Sequence, residues 1–415
     1  MRLIIYSLAL LFCLFPYTQI LDLDSYTQPY AFLLSIIASG AAFARLRAYF
    51  PARDAIALIA LAFTGLMGFL ISSGTNPTFS ELRYLLIYVS PVVFAFASFG
   101  IAIEYPRAAD RIIVFATLTW MAVGIIQTVI DPSFASQFVG RFSAAAEVVV
   151  ESGRGTLGLA PEPTHFGFHM IILAAALVLM GGRNWLSLAC LVTALIIARS
   201  SSAALALGLG ALIYLVIFGG RARWLLLLVV PFYFMIGLIV EAHMLPQNLR
   251  IVQLMTDFYQ DPLYPVLSDA SANQRLGGIY VGAKQIIVQG FMPAGMSEET
   301  WLDLIGPIMA ANPWLIMLSE AGVPSGILIV GFQLGLFGLI PLIFILYRML
   351  SGLRSHYETF LLCTMVFVFF SQYMISTPGF GVIYGMVIAR RLYAARAAEN
   401  SNRAAIPTRR LIAAT

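Results

Sequence analysis

The residues best suited to chemistry in this chain are a few arginines, carboxylates and histidines at the edges of long apolar runs. Arg199 closes one run in Ile196-Ile197-Ala198-Arg199-Ser200-Ser201-Ser202. A guanidinium grips two phosphate oxygens at once, so beside these hydroxyls Arg199 reads as an anion clamp. The alternative is an interfacial arginine that snorkels to water. Arg275 follows Asp269-Ala-Ser-Ala-Asn273-Gln274, and is either a second anion ligand or the partner of Asp269. Arg141 and Arg154 read first as local ion pairs with Glu147 and Glu151. The segment Glu162-Pro163-Thr164-His165-Phe166-Gly167 opens another apolar run. Thr164 is placed there to cap a helix, with Glu162 near its positive end. The sharper reading makes Glu162 or His165 a proton acceptor at the membrane surface. Glu320-Ala-Gly322, after Asn312-Pro313-Trp314, sets a carboxylate in an apolar stretch, which is costly without a facing arginine.

Other chemistries find little support. Cys13, Cys190 and Cys363 sit inside apolar runs and read as small buried hydrophobes rather than a disulfide framework. His165, His169, His243 and His356 lack zinc-like spacing, so no metal site is expected.

The elements that must position these groups are membrane helices. Hydrophobic residues make up 60% of the chain and charged residues 11%, against about 25% charged in soluble domains. A hydrocarbon core about 30 Å thick needs about 20 mostly apolar residues per crossing. Such stretches run near 3–21, 28–44, 54–72, 83–103, 112–130, 166–181, 184–199, 202–219, 223–240, 323–347, 358–376 and 379–394. The expected architecture is an all-α, polytopic transmembrane bundle of about 12 spans, or 11 if the short seventh or twelfth is re-entrant. Residues 1–394 form one membrane domain and 395–415 a basic, mobile tail. The N-terminal run reads as the first span, because Tyr17-Thr18-Gln19-Ile20 offers no cleavage site.

Charge orients this layout. With a cytoplasmic N-terminus, seven of the 24 basic residues lie outside (Arg83, Arg141, Arg154, Arg199, Arg250, Arg275 and Lys284) and 17 inside. That asymmetry predicts both termini in the cytoplasm of a bacterial inner membrane. Two long outer segments result, about 131–165 and 241–322. Leu276–Val288 in the second reads as an amphipathic helix on the membrane face, with Ile279, Val281, Ile286 and Ile287 toward lipid or protein. Gly331-Phe-Gln-Leu-Gly335 fits a close helix-packing motif. The chain lacks the internal repeats of many transporters.

At these residues the sequence resembles the O-antigen polymerase and O-antigen ligase family of bacterial envelope glycosyltransferases. The likeness rests on Glu162-Pro163-Thr164-His165-Phe166-Gly167 and on Arg199-Ser200-Ser201-Ser202 leading into Ala203–Gly210. It also rests on Ser271-Ala-Asn273-Gln-Arg275 followed by Gly290-Phe-Met-Pro293-Ala-Gly295, and on Asn312 with Gly322 and Gly326 beyond. The resemblance implies a metal-independent, GT-C-like enzyme without cofactor, working at the periplasmic face. Its donor would be an undecaprenyl-pyrophosphate-linked oligosaccharide, with a flippase and a chain-length regulator as pathway partners and no nucleic acid. Arg199, Arg275 and Arg154 become the pyrophosphate ligands, and Glu162, His165 and Glu320 the candidate proton acceptors. Ligases of the family carry a histidine immediately before the Asn-x9-Gly element, and here that position is Ala311, which favours polymerase over ligase. A transporter of a lipid-linked sugar or solute is the alternative from another class. It would put its charges at mid-membrane rather than at helix edges.

Overall fold

The structure is a computed structural model. It describes residues 1–20, 27–72, 79–139, 155–228, 270–315, 322–352, 355–371 and 373–412, with Leu318 and scattered residues between 231 and 267. Among these residues it is all-helical without a strand, and Thr18 and Val139 form an isolated bridge. The helices are α1 (Arg2–Leu14), α2 (Tyr30–Leu46), α3 (Ala52–Ser72), α4 (Phe79–Glu104), α5 (Pro106–Val129), α6 (Pro163–Gly181) and α7 (Asn184–Val192). They continue with α8 (Ser201–Ile213), α9 (Ala270–Val288), α10 (Glu298–Ala311), α11 (Leu328–Leu350), α12 (His356–Phe370) and α13 (Pro378–Ile412).

Among the described residues six helices are long and apolar enough to cross a membrane: α3, α4 from Leu82, α5, α6, α8 with its continuation to Phe218, and α11. Four shorter apolar helices accompany them: α1, α2, Asn184–Ile197 and α12. Over the described residues the chain is thus an all-helical membrane protein with six candidate spans by length, against the 11 or 12 expected of the whole chain. The differences have local causes. α1 stops at Leu14 rather than continuing to 21, because Pro16 disfavours helix at the residue before it. The chain then runs alongside the first long segment, and Gln19 N–H donates to the Phe138 carbonyl at 2.7 Å. The seventh expected span, 184–199, is a short helix over Asn184–Ile197 whose last turn, Thr193–Ile197, is π, and it ends where Arg199 adopts φ 48°. The ninth opens as a 3-10 segment, Gly220–Leu228, and most of its remainder lies outside the described residues.

α6 is the hub. Its residues from Phe166 to Leu179 are buried all round, as expected of a helix apolar on every face. It packs against α5, α7, α8, α12 and α13. α13 lies close along α4, where Gly385 leaves no room for a Cβ against the Ala95 carbonyl and the Ser98 hydroxyl. The N-terminal part of α13 is equally buried, from Phe380 to Ala389, and the helix runs on through the basic tail to Ile412.

α9 is amphipathic as expected. Val281 and Ile286 are buried, Ile279 packs partly against the core, and Ile287 and Val288 are exposed. The Gly331–Gly335 motif does something other than close helix packing throughout. Gly331 does admit Ile286 of α9, but Gly335 takes φ 58° and breaks α11. The Gly290–Gly295 loop fills that break. Ala294 N–H donates to the Phe332 carbonyl and Phe291 C=O accepts from Leu336 N–H, both at 2.9 Å. Backbone groups freed inside a membrane helix need such partners, and this loop supplies them.

Candidate functional site

Pro163 at the first helical position fixes where α6 begins and leaves Glu162 at its N-cap in extended conformation. The Glu162 side chain makes no capping hydrogen bond, and Thr164 is buried inside the first turn instead of capping it. The capping role expected of Thr164 is therefore not filled. Glu162 turns its carboxylate toward two other groups.

His165, one turn along α6, places Nδ1 3.7 Å from Glu162 Oε2. Arg275, on α9, places Nη2 3.9 Å from the same oxygen. Arg275 Nη1 also donates to the Ser202 hydroxyl at the start of α8. Three segments far apart in sequence therefore meet at one edge of the bundle. The His165 imidazole and then the Arg275 guanidinium hold the Glu162 carboxyl below its ordinary value, overcoming the opposite effect of its burial. Glu162 is thus an ionised acceptor with 41% of its side chain exposed, open to a ligand.

The start of α8 is built by the serines. Ser200 caps the helix by accepting from Ala203 N–H at 3.1 Å. Gly167 of α6 faces that cap, where a Cβ would sit 2.7 Å from Ser200 Cβ, so the two helix starts lie close together. Arg199 occupies the left-handed junction just before the cap, with its side chain exposed. Thr156 braces the same junction by donating to the Ile197 carbonyl at 3.1 Å.

α9 is held from its other side by Asn273, which is fully buried and donates to the Trp314 carbonyl at 2.8 Å. The Tyr280 and Trp314 rings add an edge contact at 5.4 Å. Arg275 is thereby positioned by a helix anchored at two points. Beneath His165 lies a layer of Tyr17, Trp120 and His169. Tyr17 meets the His165 ring edge-on at 5.7 Å. Trp120 Nε1 donates to the Leu14 carbonyl at 2.9 Å, and His169 Nε2 lies at the same distance from it. The sequence marked His169 only as a histidine without zinc spacing. Its position one turn beyond His165 was the available signal for this supporting role.

The structure thus brings together Glu162, His165 and Arg275, and sets Arg199 at the neighbouring helix junction. Glu320 and Arg154 lie outside the described residues, as do Arg141, Glu147, Glu151 and Asp269. The arrangement offers a fixed cation beside hydroxyls and an ionised carboxylate within reach of it. Such a site suits binding of an anionic leaving group next to a proton acceptor. Compared with known proteins, the chain matches no family model and no curated protein.

Proposed function

We propose that the chain is a polymerase of O-antigen or exopolysaccharide repeat units. In this reading it transfers an undecaprenyl-pyrophosphate-linked glycan to an acceptor glycan at the periplasmic face. The meeting of Arg275, Ser202, Glu162 and His165 supports it, because it pairs a phosphate-binding cation with a base. The acceptor hydroxyl attacks the anomeric carbon, the bond from that carbon to the diphosphate oxygen breaks, and Glu162 takes the hydroxyl proton. Arg275, with Arg199 at the adjoining junction and Arg154 in the first long segment, neutralises the diphosphate that leaves. Preorganised cations at a low-dielectric surface stabilise such developing charge strongly.

Deleting the gene and analysing envelope and secreted glycan tests this function. Loss of polymer with accumulation of single lipid-linked units is the expected result. Unchanged polymer, or accumulation of full-length unattached polymer, overturns it.

A further inference from the structure

The end of the bundle opposite Glu162 carries a charge imbalance that glycan transfer does not use. Asp54, fully buried on α3, accepts from Arg348 Nε at 2.9 Å and Nη2 at 2.8 Å, and from the Tyr384 hydroxyl at 2.6 Å. Arg391 brings Nη1 to 3.9 Å from the same carboxylate. Its Nη2 donates to the carbonyl and the hydroxyl of Ser351. The Arg391 Nε and Nη1 atoms are buried and make no hydrogen bond among the described residues. The nearby Glu358 carboxylate is already taken by Arg390 at 3.0 Å. Among the described residues two guanidiniums therefore share one carboxylate, and a unit of positive charge is left over.

Arginine cannot shed that charge by losing its proton, and an uncompensated buried charge is costly. The pair is not sealed off: 26% of the Arg348 side chain and 15% of the Arg391 side chain reach the surface. Gly352, at φ 74°, turns the chain away after α11, and a Cβ there would lie 3.4 Å from Arg391 Nε. Glycine at this turn adds no side chain of its own to that edge, and the exposed share of Arg391 belongs to atoms other than the buried Nε and Nη1. The surface beside Arg348 is apolar, with Tyr347 63% and Ile343 57% exposed on α11 and Ile56 65% exposed on α3. An anion held here would adjoin a flank suited to acyl chains.

We propose that Arg348 and Arg391 form a binding site for a phosphate-bearing anion, supplied by the headgroup of an anionic phospholipid whose chains cover the Tyr347 and Ile343 flank. Arginine matches phosphate oxygens bidentately, and basic pockets between membrane helices suit such headgroups.

The full-length protein in nanodiscs tests this, using phosphatidylcholine alone, phosphatidylcholine with phosphatidylglycerol, and phosphatidylcholine with inorganic phosphate in the buffer. Phosphatidylglycerol is expected to raise the melting temperature and to remain bound in native mass spectra. An equal rise with inorganic phosphate alone would overturn the lipid source and leave a free phosphate site. Arg391→Gln should remove the rise, whereas Arg396→Gln, a surface arginine stacked on Tyr49, should leave it intact. Should Arg391→Gln fail to fold, Arg391→Lys keeps the charge without the fork and should weaken phosphatidylglycerol binding about tenfold. Equal melting in every condition, equal loss in both glutamine variants, or unchanged binding in Arg391→Lys overturns the site.

Discussion

Arg275 donates to the Ser202 hydroxyl across 73 residues of sequence, joining the second long segment to the start of α8. That bond holds the guanidinium beside Glu162. Preorganisation of this kind spares the reacting complex the entropy of collecting its own ligands.

Arg275→Ala is accordingly expected to abolish polymer formation at near-normal protein level. Losing one preorganised donor to developing charge costs about 10²–10³ in turnover. Arg275→Lys should recover little, since a point charge cannot hold both Ser202 and two phosphate oxygens. Polymer length on gels, with the protein level followed by immunoblot, checks this. Full activity in Arg275→Ala removes the residue from the site.

Glu162→Gln keeps shape but removes the base, so turnover should fall about 10²–10⁴ with donor binding retained. The pH dependence has a definite sign. A carboxyl held below its ordinary value is ionised above that range and loses its function only as pH falls through the lowered value. Activity of purified protein should therefore persist through mildly acid pH, with its acid limb below the usual carboxylate range. An acid limb at or above the ordinary glutamate value would assign the proton to another group.

In the proposed mechanism, neutralisation of the leaving diphosphate by arginine makes a divalent cation unnecessary. Purified protein given lipid-linked oligosaccharide should polymerise it at the same rate in excess EDTA. The same preparation should not glycosylate lipid A–core acceptors, because Ala311 stands where ligases of the resembling family carry histidine. A strict magnesium requirement counts against the arginine mechanism.

Asp54→Ala strips the carboxylate from Arg348, Arg391 and Tyr384 together. Breaking a buried ion pair by removing one partner costs about 3–5 kcal/mol. A large drop in melting temperature in a fixed detergent is the expected outcome, while exposed Arg396→Gln should leave melting unchanged. Native-like melting of Asp54→Ala would mean that Asp54 is not the anchor of that end.

Gly335→Ala puts a Cβ against the Phe291 carbonyl at a backbone conformation, φ 58° and ψ −145°, that is essentially restricted to glycine. A cost of about 1–3 kcal/mol is expected. Gly208→Ala, on an open helix face with nothing within 4 Å, should be neutral or slightly stabilising. Equal melting of the two variants would show that the break in α11 is not needed.

The sequence by itself determined the class and much of the local scaffold. Apolar runs of bilayer length made helices, because an unpaired backbone has no water to turn to inside lipid. The segment from Glu162 to Gly167 marked where α6 begins to within a few residues, and the pattern along Leu276–Val288 marked an amphipathic helix. The chemistry-bearing types were legible too: Glu162, His165 and Arg275 stood out as charged or titratable groups at helix edges. Their convergence was not legible, since local rules offered Asp269 to Arg275 and a helix cap to Thr164. Tertiary packing brought Arg275 to Ser202 and Glu162 by anchoring α9 through Asn273 on Trp314 and against α11, while Asp269 lies outside the described residues. The same holds for Gly335, whose spacing from Gly331 reads as a packing motif. Its role as a helix break depends on a loop, Gly290–Gly295, that supplies the missing hydrogen bonds. Asp54, Arg348 and Arg391 were visible only as charges near helix ends. Their pairing rests on contacts spanning 294 residues, and no local pattern in a sequence encodes which distant guanidinium a buried carboxylate will meet.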